Sequence, residues 1–184
     1  MSAWPVFLDR DGVINRFPGK GVYVTRLEDF ELLPRAARAV ARLSQAGFDV
    51  FVISNQGCVS RGLITLEGLE AITERMRRGI EAEGGRLAGV HYCVHQTRDA
   101  CDCKKPKTAL FRKAVEGRPV DWASTCFVGD SLEDVQAGRA LGCRSVLVLS
   151  GRTSAADVAT MPVQPDLVKP DLWEAVEWIV RTAS

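Results

Sequence analysis

No stretch of this sequence stays apolar long enough to cross a bilayer. Its longest hydrophobic runs are strand-length, where a membrane helix needs about 20 residues. An excess of one charge is also missing, since 24 Lys and Arg face 23 Asp and Glu. A chain so balanced has no broad field with which to grip nucleic acid or an anionic membrane. Basic runs and low-complexity tracts do not occur. The first residues, MSAWPVFLD, lack the charged, apolar and small-residue order of a secretory leader, so a cytoplasmic location is expected. In that compartment the six cysteines are thiols or metal ligands rather than disulfides. There is no internal repeat and no domain-length linker, which predicts one domain over residues 1–184, and a monomer is expected.

What is present is alternation. Strand-like apolar runs (Val6–Leu8, Phe48–Ser54, GVHYCVH, STCFVGD, SVLVLSG) are separated by amphipathic stretches at Leu33–Gly47, Thr65–Gly84, Lys107–Glu116 and LEDVQAGRALG. A last helix is expected over Asp171–Arg181, and MPVQPDLVKPD reads as a surface loop. The alternation predicts an α/β fold, a mostly parallel sheet with helices on both faces. Ligands in such folds bind beyond the C-terminal strand ends. Asp9, Ser54 and Asp130 all fall at such ends.

Val6 to Asn15 reads VFLDRDGVIN, with two carboxylates where a buried strand stops. An isolated pair of this kind is as readily a turn and a cap. VGDSLEDVQAG weakens that reading, because Asp130 ends another strand in the same way and Asp134 follows four residues later. Carboxylates gathered at one sheet edge repel each other unless a cation sits among them, and hard oxygen ligands with open positions suit Mg²⁺. In VISNQG, Ser54 and the N–H groups after it could receive an anion, although Ser54–Asn55 alone is an ordinary turn. CKKPK adds Lys104, Lys105 and Lys107, which could equally be solvated, except that Lys105–Pro106 is expected to start a helix directly after a cysteine-rich loop. Together the parts suit phosphoryl transfer. One carboxylate attacks phosphorus, and a second protonates the leaving oxygen and later activates water.

The cysteine-rich loop, CVHQTRDACDC, places Cys93 and His95 two apart on a strand and repeats the spacing at Cys101 and Cys103. Three thiolates and an imidazole form a closed tetrahedral set for structural Zn²⁺; loose thiols or a disulfide are the plain alternative. His91 shares the strand face but is left out as structural, Cys126 and Cys143 read as small apolar fillers, and Trp122, Trp173 and Trp178 as packing residues.

In this order DRDGV, SNQ, a lysine and GDSLED resemble the four motifs of the haloacid dehalogenase (HAD) superfamily of phosphatases, over about Val6 to Gly151. The resemblance implies a three-layer Rossmann-like fold with Asp9 as nucleophile and Asp11 as acid/base. Ser54 and Lys105 would hold the phosphoryl group, Asn55, Gln56 and Ser131 would contact substrate, and Mg²⁺ would sit on Asp9, the Asp11 carbonyl and Asp130. The C-x-H…C-x-C loop, spanning 91–105 with its basic pair and proline, is similar to the branch holding heptose 1,7-bisphosphate phosphatases and histidinol-phosphate phosphatases, which lacks a large cap domain. Removal of the 7-phosphate of a heptose bisphosphate is the expected reaction. Lys104, Arg61 and Lys20 are candidate cations for the second phosphate. Histidinol phosphate, an amine that should prefer an acidic rim, is the alternative substrate.

Several residues depart from the branch. Its usual arginine–lysine pair is Lys104–Lys105 here, NQSG is NQGC, and the loop after Arg16 is long and interrupted by Val22. Two other classes share parts of the pattern. A phosphoryl-accepting receiver would carry its acceptor on a later strand and needs no zinc loop. A non-catalytic zinc-bearing binding module would not need the full set Asp9, Asp11, Lys105 and Asp130.

Overall fold

A computed structural model describes residues 4–183, so the first three residues of the N-terminal segment weighed above lie outside the described part. The strands are β1 (Pro5–Leu8), β2 (Asp49–Asn55), β3 (Gly89–Cys93), β4 (Cys126–Gly129), β5 (Arg144–Val148) and β6 (Leu167–Lys169). They form one sheet in the order β3-β2-β1-β4-β5-β6, parallel at every pairing. Six helices connect or cover the strands: α1 (Ala36–Gln45), α2 (Leu66–Ala82), α3 (Ala109–Ala114), α4 (Leu132–Leu141), α5 (Ala155–Ala159) and α6 (Leu172–Thr182).

The strands are apolar at nearly every position because both faces are covered. Successive side chains point to opposite faces, so Val6, Leu8, Val50 and Val52 join α1, α2 and α6 in one core. Phe7, Phe51, Ile53 and Phe127 join α3 and α4 in the other. Trp122 stacks on Phe7 with ring centres 5.9 Å apart, and Trp173 and Trp178 pack against the first core. Thr65 caps α2 by accepting the Gly68 N–H, and Gly142 closes α4 in the left-handed conformation.

Two local expectations are corrected, and one short element is added. Met161–Asp171 is not all loop, because β6 pairs there with β5 through Val146–Leu167, Leu147–Val168 and Val148–Lys169. The three residues of β6 are too few for a period to show, and an edge strand tolerates flanking prolines. The short helix α5 went unread for the same reason of length; its Ser154 cap accepts the Asp157 N–H. Lys105–Pro106 does not start a helix. A turn closes first, Lys107 N–H to Lys104 C=O at 2.9 Å, and α3 follows from Ala109. No helix among the described residues is long and apolar enough to cross a membrane.

Candidate active site

The sheet grows in one direction from β1 to β3 and in the other from β4 to β6. The C-terminal ends of β1 and β4 therefore diverge, which opens a crevice. A cavity of about 180 Å³ lies there, with Asp9, Ser54, Lys105 and Asp130 among its walls. Asp9 leaves β1 with its N–H bonded to Val128 C=O of β4 at 2.9 Å, so its position is set by the sheet itself.

Asp9 Oδ1 accepts the Arg10 N–H at 2.7 Å and the Lys105 ammonium at 2.9 Å. Its other oxygen has no hydrogen-bond donor among the described residues. Burial, with Asp134 and Asp11 adding to it, pushes the Asp9 carboxyl up to about 6, against the pull of Lys105. Asp130 goes further, to about 8, through burial and the nearby charges of Asp9 and Asp134. Lys105 is 3% exposed and also reaches Asp134 Oδ1 at 2.7 Å and Ile53 C=O at 3.1 Å. Burial works to neutralise it, but Asp134 and Asp9 outweigh burial and keep it protonated.

Asp9, Asp130 and Asp134 each offer an oxygen within 4.8 Å of the others. Asp134 is otherwise engaged: Oδ1 holds Lys105, and Oδ2 accepts the N–H groups of Asp130 and Ser131 and the Ser131 hydroxyl. That leaves Asp9 and Asp130, two buried carboxylates of which Asp9 raises the proton affinity of Asp130, as the pair a hard cation would relieve. The Asp11 carbonyl accepts no backbone hydrogen bond among the described residues and is available beside them. Asp130 also lies in a notch, since a Cβ on either Gly12 or Gly151 would overlap its Oδ2. A small oxygen-ligated divalent ion fits this donor set.

Asp11 is held differently. Its carboxylate accepts Arg10 Nε and Nη2, Asn15 Nδ2 at 2.9 Å and Gln56 Nε2 at 2.7 Å. Burial alone would raise its pKa, but the Arg10 guanidinium and these donors hold it below the usual carboxylate range. Arg10 is fully buried and lies over the Tyr92 ring, 5.6 Å from its centre. Arg10 and Asn15 were not singled out in the sequence; only their placement beside two strand-ending carboxylates pointed to them.

The remaining expected residues separate into three groups. Ser54, Asn55, Lys104 and Ser131 line the cavity. The Ser54 hydroxyl accepts Gln56 Nε2 at 3.1 Å, which leaves its own proton to donate. The Asn55 amide clips the Lys105 backbone from both sides, donating to its C=O at 3.2 Å and accepting its N–H at 3.0 Å. Ser131 caps α4, and Lys104 Nζ donates to Thr97 Oγ1 at 2.8 Å. Gln56 is fully buried behind the wall, tied to Asp11, Ser54 and Arg10. Arg61 and Lys20 are outside the lining, and the Arg61 guanidinium packs on the Tyr23 ring at 5.7 Å. Phe17, Pro18, Val22, Tyr23, Glu133 and Arg152 also line the cavity, and none of them is a site residue by its sequence pattern.

A second cluster stands where β3 ends. The ligand atoms of Cys93, His95, Cys101 and Cys103 lie within 4.8 Å of one another, with Cys93 to Cys103 at 3.1 Å and His95 Nδ1 to Cys103 Sγ at 3.1 Å. Four soft donors converging without a disulfide suit a tetrahedral zinc ion. Cys103 adjoins Lys104 and Lys105 in the chain, so this cluster sets where the cavity's ammonium groups begin.

A family described as HAD-hydrolase-like matches residues 102–175. A D-glycero-beta-D-manno-heptose-1,7-bisphosphate 7-phosphatase of Pseudomonas aeruginosa is 41% identical over 83% of this chain and 84% of its own length. A protein of the same description from Haemophilus ducreyi is 31% identical over 97% and 100%. Among solved structures, the D,D-heptose 1,7-bisphosphate phosphatase of B. bronchiseptica, complexed with magnesium and phosphate, superposes with a TM-score of 0.89. It is 32% identical over 97% of this chain and 99% of that one.

Proposed function

This chain belongs to the HAD-like hydrolases, in the family of the heptose-1,7-bisphosphate 7-phosphatases, and on that footing we propose that it removes the 7-phosphate of D-glycero-D-manno-heptose 1,7-bisphosphate through an aspartyl phosphate on Asp9. The observation that carries this reading is the asymmetry of Asp9, whose Oδ1 is fastened by Arg10 N–H and Lys105 while the other oxygen is free at the cavity. A carboxylate so fixed is aimed as a nucleophile.

The free Asp9 oxygen bonds to phosphorus as the bond from phosphorus to the sugar oxygen breaks. Lys105 and the Ser54 hydroxyl stabilise the phosphoryl oxygens. Asp11 gives a proton to the sugar oxygen, then takes one from the water that cleaves the acyl phosphate and restores Asp9. Asp11 rests ionised. The phosphate dianion entering beside it raises its proton affinity, release of the Gln56 or Asn15 contact frees a lone pair, and Asp11 takes a proton from solvent before it gives one to the sugar oxygen. Mg²⁺, which Asp9, Asp130 and the Asp11 carbonyl would hold, supplies positive charge against the phosphate. Zn²⁺ on Cys93, His95, Cys101 and Cys103 would order the loop that delivers Lys104 and Lys105, with no ligand position left for chemistry.

The rim favours a second phosphate over an amine, because Lys104 and Arg152 line the cavity and Glu133 is paired with Arg152. The test is kcat/KM on the heptose bisphosphate and on histidinol phosphate, with phosphorus NMR of the product. The expected result is preference for the bisphosphate and a product that keeps its 1-phosphate. Faster hydrolysis of histidinol phosphate would overturn the substrate reading, and failure on both would overturn the phosphatase reading.

A further inference from the structure

A bisphosphate brings two groups that each carry about −1.5 to −2 charges near neutrality. One of them reacts at Asp9. The other needs a cation that the reacting centre does not already use. Lys105 is excluded, because it sits on Asp9 and serves the phosphoryl group that reacts there. Of the cations expected from the sequence, Arg61 and Lys20 do not line the cavity, and Lys104, which does, is a point charge without a fork and already donates to Thr97.

Arg152 has the properties such a contact requires. Its N–H bonds Asp130 Oδ2 at 2.7 Å, and the next residue, Thr153, donates its hydroxyl to Asp130 C=O at 2.6 Å. The backbone is therefore tied to a carboxylate of the reaction centre, and the guanidinium lies one side-chain length away. The guanidinium carbon lies 5.8 Å from the centre of the Phe17 ring, a contact that holds the group against the cavity wall. A guanidinium carries five N–H donors. Its one polar side-chain contact among the described residues is a long one, 3.5 Å to Glu133 Oε2. The side chain is 46% exposed, so the unused donors face the mouth. Phosphate accepts such a fork through two oxygens at once.

We propose that Arg152 receives the second phosphate of the substrate, displacing Glu133, and so determines that a bisphosphate is preferred over a monophosphate. This deepens the bisphosphate reading above and rests on it. Glu133 touches one arm of the fork at 3.5 Å and opposes the incoming dianion once displaced. Its charge works against binding, whereas that of Arg152 works for it.

The test compares heptose 1,7-bisphosphate with heptose 7-phosphate, which lacks the second group, on wild type, Arg152→Ala, Arg152→Lys and Glu133→Gln, each confirmed folded by its thermal midpoint. Wild type should prefer the bisphosphate. Arg152→Ala should reduce that preference about tenfold or more, chiefly through KM. Arg152→Lys should fall between them, because it keeps the charge and loses the fork. Glu133→Gln should raise the preference. A preference that survives Arg152→Ala intact overturns the role of Arg152 and leaves the substrate reading standing. A wild type that prefers neither substrate overturns both.

Discussion

Lys105 and Asp134 meet 2.7 Å apart, Nζ to Oδ1, with side chains only 3% and 2% exposed. The pair brings a cation from the loop after β3 onto the first turn of α4, and the same ammonium reaches Asp9. Removing Asp134 takes from the buried ammonium one of its two carboxylates, Asp9 being the other, and leaves the donors around Asp134 buried without an acceptor. Asp134→Ala should therefore cost about 3 kcal/mol or more, read from the denaturant midpoint, and should also free the N–H groups of Asp130 and Ser131 that Asp134 now accepts. A loss under about 1 kcal/mol would show that the ammonium and these donors are compensated when the pair is broken.

Asp9→Asn should behave in the opposite way. The carboxyl is pushed up to about 6, burial being the largest cause, so a neutral amide is tolerated where a charge is disfavoured. Turnover should fall about a thousandfold or more, while the thermal midpoint of the metal-free protein holds or rises. Activity near that of wild type would remove Asp9 as nucleophile.

Magnesium and pH should be linked through Asp9 and Asp130. Their folded pKa values of about 6 and about 8 exceed the usual carboxylate value near 4. The folded state thus holds extra protons between about pH 4 and pH 8, and the stability this pair contributes is lost as pH rises through that window. A divalent cation needs both groups ionised. The gain in thermal midpoint on adding Mg²⁺ should be larger at pH 8 than at pH 5, and equal gains would contradict the assignment.

Gln56 donates to Asp11 and Ser54 from behind the cavity wall. If it positions the proton-transfer group, Gln56→Leu should slow hydrolysis of a sugar phosphate much more than that of p-nitrophenyl phosphate, whose leaving group needs no proton. A loss of fold alone would slow both equally.

Metal analysis should find about one zinc per chain, retained under mild chelation that strips Mg²⁺. Cys101→Ser should lose the zinc and lower kcat/KM, because Lys104 and Lys105 follow directly from the cluster. Full activity in a zinc-free variant would detach the loop from the site.

Much of this was legible in the sequence, for definite physical reasons. A parallel sheet covered on both faces leaves strands that are apolar throughout, and the sharp polar residues at their C-terminal ends, Asp9, Ser54 and Asp130, then stand out. The two short elements, α5 and β6, hold too few residues for any period to register. The family resemblance implied Gln56 as a substrate contact, but the chain after β2 turns its side chain inward to Arg10 and Asp11. Arg152 was missed because it lies four residues beyond the end of β5, whereas Asp130 directly follows β4. A basic side chain in an ordinary loop carries no pattern until Asp130 is seen bonded to its backbone.

Gly12 and Gly151 leave the Asp130 carboxylate a slot walled by hydrogen atoms. A methyl group at Gly151 would push first against the Asp130 side chain, whereas one at Gly12, where φ is +85°, would also meet the Gly151 backbone. Gly151 is therefore the gauge: substitution there measures how far the carboxylate can be moved before a bound ion is lost.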